Sequence, residues 1–344
     1  MEPPQGSRRG GIWALPSELL AHILDQLVAT RDGRLPVAFA QHDAVTRALR
    51  ALTLVSRGLY RVASRHLYEY CVYLDNCTNY AQFRRTLGLD LGHHPQKLDF
   101  GQAARDEGLF DEANALERLK SMFISPQKTS KCEEAPLVRL PQIIDLCSMV
   151  GRTLKRLVLD LQPIYATPSE ILVVKPHMGD NNIFAHMPNL EELVCSYDIN
   201  DYFPRLPLNL KRLAITTQGL HSGHEDFCFS AVKLETLVFL RHPHLEAKYI
   251  DRIFEGYLGK HVDVVLVDVN ANHRTPEGTR DWKEHDRVTI WETDVPKSYY
   301  GDDDDLILCD AWIWEQGVRG TLWEQEKRRM LSWSEIEAKM AGIG

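Results

Sequence analysis

The sequence predicts an α/β protein in three parts: an N-terminal helical bundle, an irregular strand-and-helix solenoid, and a helical C-terminal cap. Three observations carry this expectation. Apolar residues recur at helical spacing between residues 13 and 68. From Leu67 onward an apolar-x-x-apolar-x-apolar pattern returns at intervals of about 20 to 36 residues. Six of the seven tryptophans fall after residue 280.

Bulk properties exclude several classes. With 44% apolar and 26% charged residues, the chain of 344 has ordinary globular composition and length for a sizeable core. A net charge of −8 opposes polyanions, so nucleic acid is not an expected partner. The one basic cluster, Lys327-Arg328-Arg329, sits among Glu324, Glu326 and Glu335 and reads as a solvated helix face. Seven scattered cysteines (Cys71, Cys77, Cys132, Cys147, Cys195, Cys228 and Cys309) include no Cys-x-x-Cys pair. Reduced thiols in the cytoplasm or nucleus are therefore expected. Residues 1–12, rich in proline, glycine and arginine, read as disordered and hold no signal-peptide core. No apolar run is long enough to span a membrane; Val262 to Val269 is short and broken by Asp263 and Asp268.

The helical domain is expected over residues 13–68. In Leu15-Pro16-Ser17-Glu18-Leu19-Leu20-Ala21-His22-Ile23-Leu24, and on to Leu27, the apolar residues form one broad stripe. Pro16 suits a first turn and Glu18 favours the positive end of the helix dipole. A second periodic stretch runs from Arg47 to about Tyr68, where Ser56 is placed to cap a separate helix. These strings, with Leu52-Thr53-Leu54-Val55-Ser56-Arg57 and the later Ala63-Ser64-Arg65-His66-Leu67-Tyr68, resemble the F-box of fungal F-box proteins. That resemblance implies docking of a Skp-type adaptor of cullin–RING ubiquitin ligases. Leu15, Pro16, Leu19, Leu20 and Ile23 would belong to the docking surface, and Leu54, Val55, Ser56 and Leu59 would complete it or hold its helices together. Apolar anchors on short helices filling a partner's pockets are the physical basis. Residues from about 28 to 46 form an insertion that typical F-boxes lack, with a turn at Thr30-Arg31-Asp32-Gly33. Without the resemblance, the same stripes describe a plain helical bundle whose apolar face is core.

Residues 69–300 are expected to form the solenoid. The pattern is clearest at Leu154-Leu157-Leu159, Leu190-Leu193-Cys195, Leu210-Leu213-Ile215 and Leu234-Leu237-Phe239. Looser versions stand at Leu67-Tyr70-Val72, Pro95-Leu98-Phe100, Leu119-Met122-Ile124 and Val262-Val265-Val267. This is similar to the degenerate leucine-rich repeats found behind fungal F-boxes. The position usually held by asparagine carries Gln162, Asp198, Gln218 and His242 instead. A different α/β or α+β topology would fit the same strand-and-helix patterning. Residues 141–150 and 248–258 are outer-helix candidates. In this register Val158, Val194, Ala214, Val238 and Leu266 face a concave surface, flanked by Arg156, Glu192, Arg212 and Thr236 on one side and Asp160, Ser196, Thr216 and Leu240 on the other. Val194, Arg212, Ala214, Val238 and Leu240 become the candidate target-binding residues, unless the C-terminal segment covers the stripe and uses it as core.

The C-terminal segment, 301–344, is expected to be helical over 306–329 and 332–340, capped by Ser332 or Ser334. Asp302 to Asp305 lack the alternate spacing of a calcium loop. His221-Ser222-Gly223-His224-Glu225-Asp226 is the best metal-like cluster, but Gly223 argues for a loop over a helical His pair. No nucleophile elbow, Walker loop or dinucleotide fingerprint occurs. The expectation is therefore a non-enzymatic adaptor without cofactor or metal. It would be a substrate receptor of an SCF-type ubiquitin ligase, binding the adaptor and an unknown target protein but neither nucleic acid nor membrane. Two alternatives stand beside it: a repeat scaffold without a degradative role, and a metal-dependent hydrolase built on the His221 loop.

Overall fold

The computed structural model describes residues 16–29, 35–87, 89, 115–126, 138–161, 182–220, 222–242, 244–268, 275–296, 299 and 310–342. The chain opens with α1 (Ser17–Val28), α2 (Ala44–Thr53) and α3 (Arg57–Tyr70). Asp43 caps α2 through Val45 N–H at 2.7 Å, so this helix starts three residues before the expected Arg47. Ser56 caps α3 as expected, accepting from Leu59 N–H at 3.3 Å. Leu24, Val28, Leu49, Val62 and Ala63 close the core among the three helices.

Behind them lies one sheet. Its strands are β1 (Tyr73–Leu74), β2 (Ser121–Ile124), β3 (Arg156–Leu159), β4 (Glu192–Ser196), β5 (Arg212–Gln218), β6 (Thr236–Leu240), β7 (Val262–Asp268), β8 (Val288–Asp294) and β9 (Arg328–Arg329). They pair in chain order, parallel from β1 to β8, with β9 antiparallel on the far edge. The architecture is α/β, with a nine-stranded, mostly parallel sheet and eleven α-helices among the described residues. Because strand side chains alternate, one residue in two goes to each face. Met122, Leu157, Leu193, Leu213, Leu237 and Val264 align across neighbouring strands, all buried on one face. Burial of each such side chain stabilises by about 1.5–3 kcal/mol.

That face is covered by helices and loops between strands. They include α4 (Cys77–Thr86), α6 (Leu140–Val150), α7 (Ile199–Tyr202), α8 (Ser222–Phe229) and α9 (Ala247–Gly256), while the one-turn α5 (Ala115–Arg118) lies beside α3 with Leu116, Glu117 and Arg118 exposed. The outer helices expected at 141–150 and 248–258 are α6 and α9. Ile143, Leu146, Cys147 and Val150 of α6 and Ile250 and Ile253 of α9 join the same core.

Two repeats sit in another register. In β7, Val264 and Leu266 face the helices while Val265 and Val267 face the other way, one residue off from Val262-Val265-Val267. Leu266 is therefore not in the concave column; Val265 is. The strand expected around Leu67-Tyr70-Val72 is displaced, because Leu67 and Tyr70 belong to α3 and β1 begins at Tyr73. Pro95-Leu98-Phe100, and Asp302 to Asp305, lie outside the described residues.

The C-terminal segment crosses the opposite face. Helix α10 (Asp310–Arg319) brings Trp312, Ile313 and Trp314 onto Val158, Val194, Ala214 and Val238. It stops far short of residue 329, because Gly320 at φ 73° turns the chain out of the helix. The chain then adds β9 to the sheet before α11 (Trp333–Met340), so the C-terminal part is not purely helical. Ser332 and Glu335 form a reciprocal cap on α11, as the sequence predicts.

Residues 35–39, within the segment expected as an insertion, form a clasp, while the turn expected at Thr30 to Gly33 lies outside the described residues. Arg156 donates to Leu35 O at 2.7 Å and Pro36 O at 2.9 Å, Val37 N–H bonds Val318 O at 2.7 Å, and Phe39 N–H bonds Tyr70 O at 2.7 Å. The helices are thus tied to both the sheet and its C-terminal cover. A Cβ at Gly320 would lie 2.7 Å from Leu35 O. Gly320→Val combines that clash with a positive φ unfavourable to a branched side chain and should cost about 1–3 kcal/mol. A lower melting temperature and faster proteolytic cutting near residues 35–43 are expected; a wild-type melt would contradict the clasp.

Candidate functional site

Three places come out of this fold. The first is on the N-terminal helices. On α1, Leu24 and Val28 turn inward one turn apart, with Leu20 half-buried one turn earlier. Leu19 and Ile23 lie on the adjacent stripe and are 48% and 47% exposed. The apolar arc of α1 is wider than its neighbours cover. At the α2–α3 turn, Leu54 is 88% exposed and Val55 48%. Pro16 and Ser56 are exposed, Leu59 is buried at 5%, and Leu15 lies outside the described residues. Leu59 therefore belongs to the inner packing. The helices are pinned from inside: buried His66 of α3 places Nε2 3.0 Å from Asp25 Oδ1 of α1 and Nδ1 2.9 Å from Val62 O.

The second place is the expected capture face, and here the structure corrects the sequence reading. Val194, Ala214, Val238 and Leu240 are each no more than 4% exposed. They are core beneath α10 and Leu322, not an open surface. The fit is close: a Cβ at Gly317 of α10 would stand 3.0 Å from Val194 Cγ2. Arg212, with its side chain 38% exposed, is engaged by neighbours of its own chain. Its Nη2 lies 2.5 Å from Glu192 Oε1, its guanidinium stacks 5.8 Å from the Trp323 ring centroid, and Trp323 Nε1–H donates to Glu192 Oε2 at 3.0 Å. The late tryptophans thus seal the stripe by apolar burial plus a hydrogen-bonded rim.

The third place is a cavity of about 620 Å³ at the carboxyl ends of β4, β5 and β6. Tyr197, Asn200, Asp201, Thr216, His224 and His242 are among its lining residues, and Asp310 at the start of α10 closes one side. The expected His221 loop is in fact the start of α8, although His221 itself lies outside the described residues. His224 donates from Nε2 to Tyr197 O at 2.9 Å. Among the described residues no group of three histidine, cysteine or acidic side chains is placed to hold a metal ion. Burial pushes the Cys147 thiol up to about 12 and raises Cys195 as well, so neither is a ready thiolate. No helix among the described residues is long and apolar enough to cross a membrane.

The sequence did not reveal this cavity as such, but several residues it singled out line it: the candidate target-binding residue Leu240, Thr216 of the flanking column, His224, and Gln218 and His242, noted for replacing the repeat asparagine. Nor did the sequence reveal a buried ionic cluster at the ends of β6 to β8. There Arg241 Nη1 lies 2.6 Å from Glu292 Oε1 and Nε 3.7 Å from Asp268 Oδ2, while Arg328 Nε approaches Glu292 Oε2 at 3.3 Å. Compared with known proteins, the chain matches no protein-family model and no curated protein sequence.

Proposed function

We propose that the chain is the substrate-recognition subunit of an SCF-type ubiquitin ligase, docking a Skp-type adaptor through its N-terminal helices and holding a target on the domain behind them. One observation carries the reading: four large apolar side chains, Leu19, Ile23, Leu54 and Val55, stand in water at positions that the F-box resemblance assigns to docking. Two lie one turn apart on α1 and two follow each other in the α2–α3 turn, the layout of helix-borne anchors for a partner groove. Strands that pair in chain order with the helices that connect them on one face, built on the leucine columns of β3 to β6, support an irregular leucine-rich-repeat-like solenoid whose other face α10 covers. In this reading the chain supplies no chemistry; it raises the local concentration of a target beside the transfer machinery.

The test is co-purification with a recombinant Skp-type adaptor. Leu20→Asp, and separately Leu15→Ala with Pro16→Ala, should abolish it while the sheet domain stays folded by circular dichroism. Adaptor binding unchanged in both variants removes the F-box assignment.

A further inference from the structure

With its inner face sealed, the sheet domain offers a target its edge. We propose that the turns entering β4 to β7 form a capture surface, and that it takes an acidic amphipathic helix of a partner protein. The surface deepens the receptor reading, on which its biological meaning rests, by giving the chemistry of the target.

Strands β4, β5 and β6 are entered through the same tight turn. Leu190 N–H bonds Met187 O at 3.2 Å, Leu210 N–H bonds Pro207 O at 3.2 Å and Leu234 N–H bonds Ala231 O at 3.0 Å. The leucine that closes each turn is core, and the residue two before it is turned to solvent. Neighbouring turns are tied in line: Asn189 Nδ2 donates to Arg152 O and Asn209 Nδ2 to Pro188 O, both at 2.7 Å. On the β7 side the chain packs so closely that a Cβ at Gly259 would stand 2.7 Å from Val232 O. Pro188, Leu208, Val232 and Leu258 thus follow one another across four strands. The last three are 74%, 55% and 76% exposed, and none of the four joins a core cluster. One exposed leucine says little, but an aligned row marks an interaction surface.

The charge around the row is opposite to that of the chain. The turns entering β3 to β7 carry Arg152, Lys155, Lys211, Lys233 and Lys260 against Glu191 and Glu235, in a chain of net charge −8. Among the described residues only Lys211 of these cations is ion-paired, to Glu191 at 3.2 Å, while Lys233 Nζ donates to the neutral Asn209 Oδ1 at 2.8 Å. An acidic partner is attracted to such an edge, whereas a second copy meeting it edge to edge is repelled. The row is one residue wide and bordered by Asn189, Asn209 and Lys233, which suits a single helix better than a lipid surface. Spacing also favours a helix. Adjacent strands lie about 4.8 Å apart, close to the roughly 5.4 Å of one helical turn and well below the about 6.7 Å between same-face residues of an extended segment. A helix laid along the row sets its i, i+3 or i+4, and i+7 side chains on Leu208, Val232 and Leu258 in turn.

The probe is a phage-displayed library of helical peptides of about 18 residues, or five helical turns, randomised on an alanine-rich scaffold and selected against the full chain. Leu208→Asp, Leu258→Asp and the pair Lys233→Glu with Lys260→Glu are run in parallel. All four side chains are exposed, so melting curves and adaptor co-purification should match the wild type. Selection on the wild type should enrich peptides of net negative charge with apolar residues at i, i+3 or i+4, and i+7. A selected peptide should bind each leucine variant at least about tenfold more weakly, one decade in Kd. The lysine pair should weaken it at low salt and less at high salt, because exposed charges are screened. Enrichment of basic or neutral peptides, no enrichment, or binding that survives the leucine changes would each overturn the proposal. Sedimentation with phosphatidylserine vesicles, lost in Leu258→Asp and with no peptide enriched, would assign the edge to lipid and overturn it as well. Self-association of the wild type that Leu258→Asp abolishes would assign the edge to a second copy, with the same consequence. Failure of adaptor binding in the wild type would instead count against the receptor reading, because the peptide selection does not require the adaptor.

Discussion

Replacing Val238 by glutamate should unfold the sheet domain. Val238 is 2% exposed, sits in the column Phe123, Val158, Val194, Ala214, Val238, Val265, Trp291, and is packed in one apolar cluster with Trp312, Ile313 and Trp314. A carboxylate there has no cationic partner within the apolar cluster. Desolvation costs several kcal/mol, and the longer side chain must also push α10 away, so the expected loss is at least about 4 kcal/mol. Trp312→Ala removes the other side of the same contact and should cost about 3–5 kcal/mol. Both are read by urea unfolding. If Val238→Glu leaves the unfolding midpoint unchanged, the stripe is open and α10 does not seal it.

The second large effect belongs to Arg241. Its side chain is 3% exposed between Glu292, itself 10% exposed, and fully buried Asp268. Removing the central cation of such a group leaves its buried carboxylates with less compensation, so Arg241→Met should cost about 3–5 kcal/mol at neutral pH. The loss should depend on pH in a defined direction. Burial holds the Glu292 carboxyl above the ordinary carboxylate range despite the pull of Arg241 and Arg328. Without Arg241 it rises further. A carboxyl whose folded-state pKa exceeds its unfolded value contributes stability that is fully present below the unfolded pKa and is lost as pH rises through the folded pKa. The deficit of Arg241→Met against wild type should therefore be smaller near about pH 5 than near about pH 8. A deficit that grows as pH falls would contradict this account of the cluster.

What was legible in the sequence follows physical lines. Strands β3 to β6 each place a leucine directly after a polar residue (Arg156, Glu192, Arg212 and Thr236), so Leu157, Leu193, Leu213 and Leu237 announce their face although the residues that follow are apolar on both faces. β7 has no leucine at that place and carries valines on both faces; a one-residue slip there reverses every side chain and misplaces Leu266. Ser56 and Ser332 announce their helices because a cap is a local interaction. The end of α10 was hidden, since Gly320 inside a helical pattern does not by itself declare a positive φ. The cavity and the Arg241 cluster were hidden for a different reason. The cavity is lined from distant segments, Asp201 on α7 and Asp310 on α10 among them, and Arg241, Asp268 and Glu292 likewise come from separate segments, and no spacing along the chain encodes those meetings. The apolar stripe of α1 was legible because Leu19, Leu20, Ile23 and Leu24 are neighbours in sequence as well as in space. The structure adds that Leu24 turns inward while Leu19 and Ile23 do not.

The most direct test of the adaptor reading is isothermal titration of the purified chain with a Skp-type adaptor, comparing wild type with Leu54→Asp. Leu54 is the most exposed of the four apolar residues at the docking positions, so a charge there barely disturbs the folded chain but meets any partner that must dry it. Saturable binding by the wild type, a loss of at least about a hundredfold in Leu54→Asp (about 2.7 kcal/mol), and superimposable melting curves are the expected result. No binding by the wild type, or equal affinity in the two proteins, would contradict the assignment of these helices to adaptor docking.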